Sequence, residues 1–225
     1  TTSQEFLANL KTGLQGERSN DIAVIGLDIR TPGAENQSEF WENLKNGIES
    51  IKRFSDEELV KAGVEKEIID QPDYVKAGSF LEDKDKFDPH FFGYLPDEAR
   101  VMDPQIRVFH EVVWSALEDA GYDPFQYEGL IGLYAGASLN LNWMATTLIQ
   151  DEGKVDAFAA SQFMNKNHMN SLIANKLNLK GGVHFIDTAC STSLVAIHQA
   201  AQSLLTGENN IAIAGGVSIV HSKEK

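Results

Sequence analysis

Cysteine occurs once in the 225 residues, at Cys190. It lies in the segment Val183-His-Phe-Ile-Asp-Thr-Ala-Cys-Ser-Thr-Ser-Leu-Val-Ala-Ile197. The apolar run Val183–Ile186 reads as a short strand, and from Leu194 the spacing turns helical, with Leu194, Ile197, Ala201, Leu204 and Leu205 on one face. Ser191, Thr192 and Ser193 stand at the join, where hydroxyls can cap the first helical turn. Cys190 is therefore expected at a strand-to-helix turn among small residues that let the backbone bend tightly. A thiol there feels the positive end of the helix dipole, which favours the thiolate, and the unpaired amides of the first turn, its own included, can receive a developing oxyanion. The layout is that of a nucleophile elbow carrying sulfur in place of a serine hydroxyl. On position alone, a lone cysteine packed as a small hydrophobe stays open beside the nucleophile.

A cysteine nucleophile also needs a proton acceptor within hydrogen-bond reach. The chain has six histidines: His90, His110, His168, His184, His198 and His221. His198 is about 12 Å of helical rise from Cys190. His184 lies up to roughly 20 Å back along the strand. Neither serves by local geometry. His110 falls between core positions of a helix and is expected to cap or pack.

The wording of the motif resolves the choice. Asp187-Thr-Ala-Cys-Ser-Thr-Ser-Leu-Val-Ala-Ile-His198 resembles the active-site segment of beta-ketoacyl synthases, in particular the ketosynthase domains of modular polyketide synthases and of their hybrids with nonribosomal peptide synthases. Further stretches follow in the family's order: Asp21–Gly26, Phe40–Gly47, Phe87–Gly93, Glu98–Arg107, Leu117–Gly121, Ile131–Ala137 and Ile211–Gly216. Thr192 stands where the family often has serine, and Gly182 where it commonly has proline. The first twenty residues and Leu139–Asn167 resemble nothing that can be placed.

The resemblance implies an α/β chain of thiolase-like fold, layered α-β-α-β-α in the complete domain. Residues 1–20 are expected to be a linker and 21–225 the N-terminal half of the domain. It implies that Cys190 takes the growing acyl chain as a thioester from a phosphopantetheine arm, and that a carrier-bound malonyl-type extender is condensed with it by decarboxylative Claisen chemistry. No cofactor is implied as bound directly. The implied partners are acyl carrier protein domains, neighbouring synthase domains and a second copy in a homodimer, with the strand Val183–Ile186 pairing across the two-fold axis. The family's two histidines sit in downstream motifs that do not occur in these 225 residues. Two other functions stay in view: an initiating or non-elongating ketosynthase that only transfers acyl groups, and a non-catalytic dimerisation or docking half-domain. Against the last stands the retained Cys190. A cysteine hydrolase would need a histidine beside it.

Composition narrows the field further. A formal charge of −14 argues against nucleic-acid binding, which needs a basic face. One cysteine leaves no disulfide framework and no cysteine-based zinc site. No apolar run approaches a membrane span, and the N-terminus lacks a signal-peptide layout, so no membrane partner and a cytoplasmic location are expected. Acyl carrier proteins are usually acidic as well, so a carrier dock must be a local basic patch or lie in other sequence.

The elements that must position Cys190 read as an alternation of strands and helices. Asp21–Gly26 is expected as a buried strand. Ser38 caps a helix over Phe40–Lys45, with Gly47 at its C-terminal end. Residues 52–86 read as a charged, irregular surface excursion. Asp103-Pro104 opens the clearest helix, which Gly121 ends, with Val108, Phe109, Val112, Val113, Ala116, Leu117 and Ala120 as its stripe. Asp103 and Arg107 read as a cap and a structural bridge, and Trp143, Met164 and Met169 as core. Leu130–Ala135 is a buried strand, Met169–Leu177 a helix, and Ile211–Ala214 a strand followed by two glycines and the run Val217–Val220. Gly26, Gly132 and Gly136 do not form the spacing a pyrophosphate needs.

Overall fold

The computed structural model describes residues 20–150 and 155–219. Residues 1–19 of the expected linker, and His221, lie outside these. The main sheet has three parallel strands in the order β4-β3-β5. They are β3 (Ile131–Ala137), β4 (Val183–Phe185) and β5 (Ile211–Val217). β3 is buried along its whole length, because it has a strand on either side and helices on both faces. Parallel strands covered in this way read as near-continuous apolar runs, which is why these are visible in the sequence.

Strand alternation sorts the two faces. Ile131, Leu133 and Ala135, with Val183, Phe185 and Ile213, face a large apolar cluster. That cluster is supplied by α5 (Pro104–Asp119), α7 (Ala157–Met164) and α8 (Met169–Lys176). Met164 and Met169 are buried in it and Trp143 packs against it, as their reading as core requires. Tyr134, Ile186, Ala212 and Ala214 face the opposite side, where Ala196 and Ala200 of α9 (Thr192–Leu205) pack on them. The result is a helix-sheet-helix sandwich.

α5 follows its sequence signals closely. Asp103 is the N-cap and accepts from the Gln105 amide at 2.8 Å, Pro104 occupies the first turn, and Gly121 takes φ +75 just past the end. The Arg107 backbone N–H donates to the Asp103 carbonyl at 3.2 Å in the first helical turn, but no side-chain ion pair joins the two among the described residues. The carboxylate is engaged instead by the side chains of Gln105 and Asn140. The Arg107 guanidinium lies over the Trp143 ring and donates to the Asp85 carbonyl.

Four expectations are corrected. Asp21–Gly26 is not a buried strand: it pairs with no strand among the described residues, and Val24 is 86% exposed. An apolar run becomes a strand only through a partner's ladder, and here it lies across a groove from Ala212 and Ala214 of β5. The first helix, α1 (Gln37–Lys45), begins earlier than expected, because Asn36 and not Ser38 accepts the Glu39 amide. Residues 52–86 are partly regular. β1 (Lys52–Arg53) pairs antiparallel with β2 (Ala77–Gly78), and α2 (Asp56–Lys61), closed by a Ser55–Glu58 capping box, and α3 (Lys66–Ile69) lie between them. Lastly, the buried face of α9 is Ala196, Ala200 and Ser203, while Leu194 and Ile197 are exposed. Small residues are what allow the helix to lie close on the sheet. The unplaced stretch Leu139–Asn167 holds α6 (Leu141–Gln150) and α7. α4 (Pro96–Val101) leads into α5.

Candidate active site

β4 ends at Phe185 and α9 begins at Thr192, and between them a short 3-10 turn spans Ala189–Ser191. Cys190 sits in this turn and is exposed. Ala189 has φ +53, the left-handed region that a residue with a Cβ occupies only when its surroundings hold it there. This strained strand-turn-helix bend is the elbow that the sequence implied.

Hydroxyls hold the bend, though not in the way expected. No side chain caps the first amides of α9. Instead Thr192 Oγ1 accepts from the Thr188 amide at 3.0 Å and donates to the Ala189 carbonyl at 2.8 Å. Ser191 Oγ donates to the Thr188 carbonyl at 2.8 Å. The hydroxyls thus reach backwards and tie the turn to itself, which leaves the positive end of the helix open toward Cys190. Threonine at 192, where the family often has serine, supplies the same oxygen.

The elbow can approach β3 because position 136 is glycine. A Cβ there would overlap the Ile186 carbonyl oxygen and the Thr192 methyl group. Cys190 opens onto a pocket walled by Gly136, Ala137 and Ser138 from the end of β3, Gly216 and Ser218 from the end of β5, and Thr192 and Ser193 from α9. It therefore lies at the carboxyl ends of parallel strands, where α/β sheets generally place their ligands.

Two polar side chains outside the motif frame this pocket. Gln105 is 1% exposed. Its amide nitrogen donates to the Ser138 carbonyl at 3.0 Å, and its oxygen accepts from Ser138 Oγ at 2.7 Å and the Ile219 amide at 3.2 Å. It ties the ends of β3 and β5 together. Asn170 does the same for β3 and β4, donating to the carbonyls of Ala135 at 2.9 Å and His184 at 2.7 Å. A third contact reaches the elbow itself, from Lys166 to Asp187 at 2.6 Å. Gln105 lies in the Glu98–Arg107 stretch but nothing there shows its task, and nothing in the local sequence marks Asn170 or Lys166, since each acts across more than ten positions.

No histidine lines the Cys190 pocket among the described residues. His184 stacks on Tyr134, with ring centroids 5.0 Å apart, and points toward Glu208. His198 is exposed on α9. His110 is fully buried: Nδ1 donates to the Ile106 carbonyl at 2.7 Å and Nε2 accepts from the Tyr94 hydroxyl at 3.0 Å. Burial brings its pKa down to about 4, so it is neutral and structural. No group of three or more histidine, cysteine or acidic side chains suited to a metal occurs among the described residues. No helix among them is long and apolar enough to cross a membrane.

The geometry is that of an exposed thiol on a strained elbow at the ends of a parallel sheet, and similarity to known proteins gives it a family. The family model for the N-terminal domain of beta-ketoacyl synthases matches residues 19–225. The chain is 41% identical over 208 residues to a phenolphthiocerol/phthiocerol polyketide synthase of Mycobacterium tuberculosis, covering 89% of this chain and 14% of that protein. It is 38% identical over 202 residues to polyketide synthase PksN of Bacillus subtilis, covering 89% and 4%. Among solved structures it resembles ketosynthase twelve of the bacillaene polyketide synthase of Bacillus amyloliquefaciens. The TM-score there is 0.82 and the identity 36%, over 90% of this chain and 35% of that one. The ketosynthase from module 1 of the bacillaene synthase gives 0.79 and 37%, over 91% and 36%. The chain belongs to the beta-ketoacyl synthase family and has the thiolase-like fold, as the motif implied. It spans about a third of the length of the solved ketosynthases it matches.

Proposed function

We propose that the protein acts as a beta-ketoacyl synthase of polyketide assembly, with Cys190 as the acyl-accepting nucleophile. One observation carries the reading: Cys190 is exposed at the head of α9, on a bend held in a left-handed conformation, facing a pocket walled by strand ends. In the first half-reaction the Cys190 thiolate attacks the carbonyl of an acyl thioester on a phosphopantetheine arm. The oxyanion that forms is received by backbone amides of the elbow, with the Cys190 amide as a donor. The bond to the arm's sulfur breaks, and that sulfur leaves as a thiolate, which takes up a proton from water. In the second half-reaction a malonyl-type thioester loses CO2. The electron pair released forms an enolate, whose carbon attacks the Cys190 thioester and expels the thiolate. The histidine motifs that the family uses for this step do not occur in the 225 residues, so the site described here serves the acylation.

The same reading supplies partners and boundaries. The arms belong to acyl carrier domains, and residues 21–225 form the first half of a ketosynthase domain. The exposed Leu194 and Ile197 face of α9 is then the surface that meets the second half. β4 has β3 on one side and no strand on the other among the described residues, which suits pairing with its twin in a homodimer. Light scattering on the intact domain tests that pairing, and an active monomer at micromolar concentration would refute it.

The central test is acyl loading. Incubation of the full-length protein with an acyl-phosphopantetheine thioester, followed by peptide mass mapping, should place the acyl mass on Cys190, and Cys190→Ala should lose it. Equal loading of the variant would overturn the assignment.

A further inference from the structure

Lys166 stands in a 3-10 turn, Lys166–His168, between α7 and α8. Its ammonium is 2.6 Å from Asp187 Oδ2 and 5.8 Å from the centroid of the Phe185 ring. The Lys166 side chain is only 18% exposed, although its partner is 54% exposed. A long flexible side chain held down in this way has lost most of its rotamers, so its geometry is fixed by the structure around it. Asp187 is the first residue after Ile186, the last position that bonds to β3, and it stands two residues before Ala189, whose backbone N–H is among the influences that lower the Asp187 carboxyl. The bond from Lys166 is the first of the influences holding that carboxyl below its ordinary range. Ala189 is the residue whose φ is +53, and Cys190 follows it directly.

Resting on the reading of Cys190 given above, we propose that Lys166 is a positioning residue for the nucleophile, acting through Asp187 to hold Ala189 in its left-handed turn and so to aim Cys190 into the pocket. Thr192 and Ser191 tie the turn to itself, whereas among the described residues the Lys166–Asp187 bond is the side-chain contact that ties it to a separate part of the fold. α8, which follows the Lys166–His168 turn directly, is anchored on the sheet by Asn170, so Lys166 gives the elbow a fixed outside reference. Without it, Asp187 keeps its place in the chain but loses the group that orients its carboxylate. Ala189 is then free to relax to negative φ.

The test uses Lys166→Ala, Lys166→Arg and Asp187→Asn in the full-length protein, with an acyl N-acetylcysteamine thioester as the probe. Small displacements of a reacting atom cost up to about a hundredfold in rate. Lys166→Ala is therefore expected to lower the maximal rate of acyl loading on Cys190 by about tenfold or more, with the half-saturating probe concentration and the melting temperature unchanged. Lys166→Arg is expected to recover most of that rate. Loading by Lys166→Ala at the wild-type rate would overturn the proposal. So would a fall in rate that tracks a fall in melting temperature and is equal for the arginine variant.

Amide hydrogen exchange supplies a readout that does not depend on acyl transfer. The Ala189 amide is expected to exchange about tenfold faster in Lys166→Ala and in Asp187→Asn, while the amides of β3 stay protected. Unchanged exchange at Ala189 would sink the positioning role even if the enzyme loads normally. Absence of loading in the wild-type protein, with faster exchange in the variants, would count against the assigned chemistry and leave the clamp standing.

Discussion

Between pH 7.5 and pH 5, acid should weaken this fold through His110. Its ring lies at the centre of an aromatic cluster, edge-on to Phe92 at 5.4 Å and Phe87 at 6.0 Å, and it is 0% exposed. The Ile106 carbonyl can only accept, so Nδ1 carries the proton and Nε2 is the acceptor for Tyr94. Protonating Nε2 turns an acceptor into a donor facing a hydroxyl and places a charge in a dry site. Desolvation is the first cause of the fall in pKa from 6.5 to about 4, and the nearby Lys176 lowers it further. The titratable groups that face it are Tyr94, itself shifted upward by burial, and Lys176, whose ammonium lies 4.2 Å from the centroid of the Tyr94 ring. Because the folded value is below the unfolded one, the unfolded chain binds the extra proton between these limits. Stability is therefore complete above about pH 6.5 and is lost as pH falls toward 4. At pH 5 the two values give a ratio of about 30 in the unfolding constant, or roughly 2 kcal/mol. Asp103 and Glu111, whose carboxyls burial raises, respond with the opposite sign, so the total pH dependence does not isolate His110. A double difference does. Urea unfolding of the wild type and of His110→Gln, whose amide does not titrate, should be measured at pH 7.5 and pH 5. The wild type should lose about 2 kcal/mol more than the variant over that interval. Equal losses would refute the reasoning.

Three further outcomes follow from the site and its supports. Gly136→Ala should cost about 3 kcal/mol and abolish acyl loading, since its methyl group meets the Ile186 backbone carbonyl, which cannot swing aside, as well as the Thr192 methyl group; unfolding and loading assays check both. Asp103→Ala removes the cap of α5 and strands the donors of Gln105 and Asn140, and should cost about 2 kcal/mol in urea unfolding, whereas Asp103→Asn, which keeps an acceptor oxygen, should cost less. The 225 residues alone, supplied with acyl and malonyl carriers, should give no beta-ketoacyl product by mass spectrometry. Robust condensation would mean that one of the six histidines does the proton work.

What can be read from the sequence divides along the range of the interactions. The elbow is legible because a strand, a run of small residues and a helix follow one another within a short stretch of chain. α5 is legible because its aspartate, proline and glycine act on their own neighbours. Asp21–Gly26 and the face of α9 mislead for the complementary reason. Both are apolar, and apolarity reports that a surface wants cover without saying which surface supplies it. On α9 the large side chains point to Leu194 and Ile197, but contact with the sheet depends on the alanines opposite. A helix can lie close on Tyr134, Ala212 and Ala214 only where its own side chains are short, so the packing face is the one with the smaller hydrophobes.

The same logic explains why the frame of the site is not legible in the sequence. Gln105 and Ser138 are separated by 33 positions, and Lys166 and Asp187 by 21. Each is an ordinary polar residue until the sheet brings its partner near. The elbow is thus encoded locally and its aim is encoded at a distance. A strained turn such as Ala189 needs that division, since a bend held only by its own hydroxyls can relax as a unit. Cross-braces from α5 through Gln105, from α8 through Asn170 and from Lys166 fix the ends of all three strands around Cys190. A thiol on a short, exposed turn therefore keeps one orientation toward the pocket, as the proposed acylation requires.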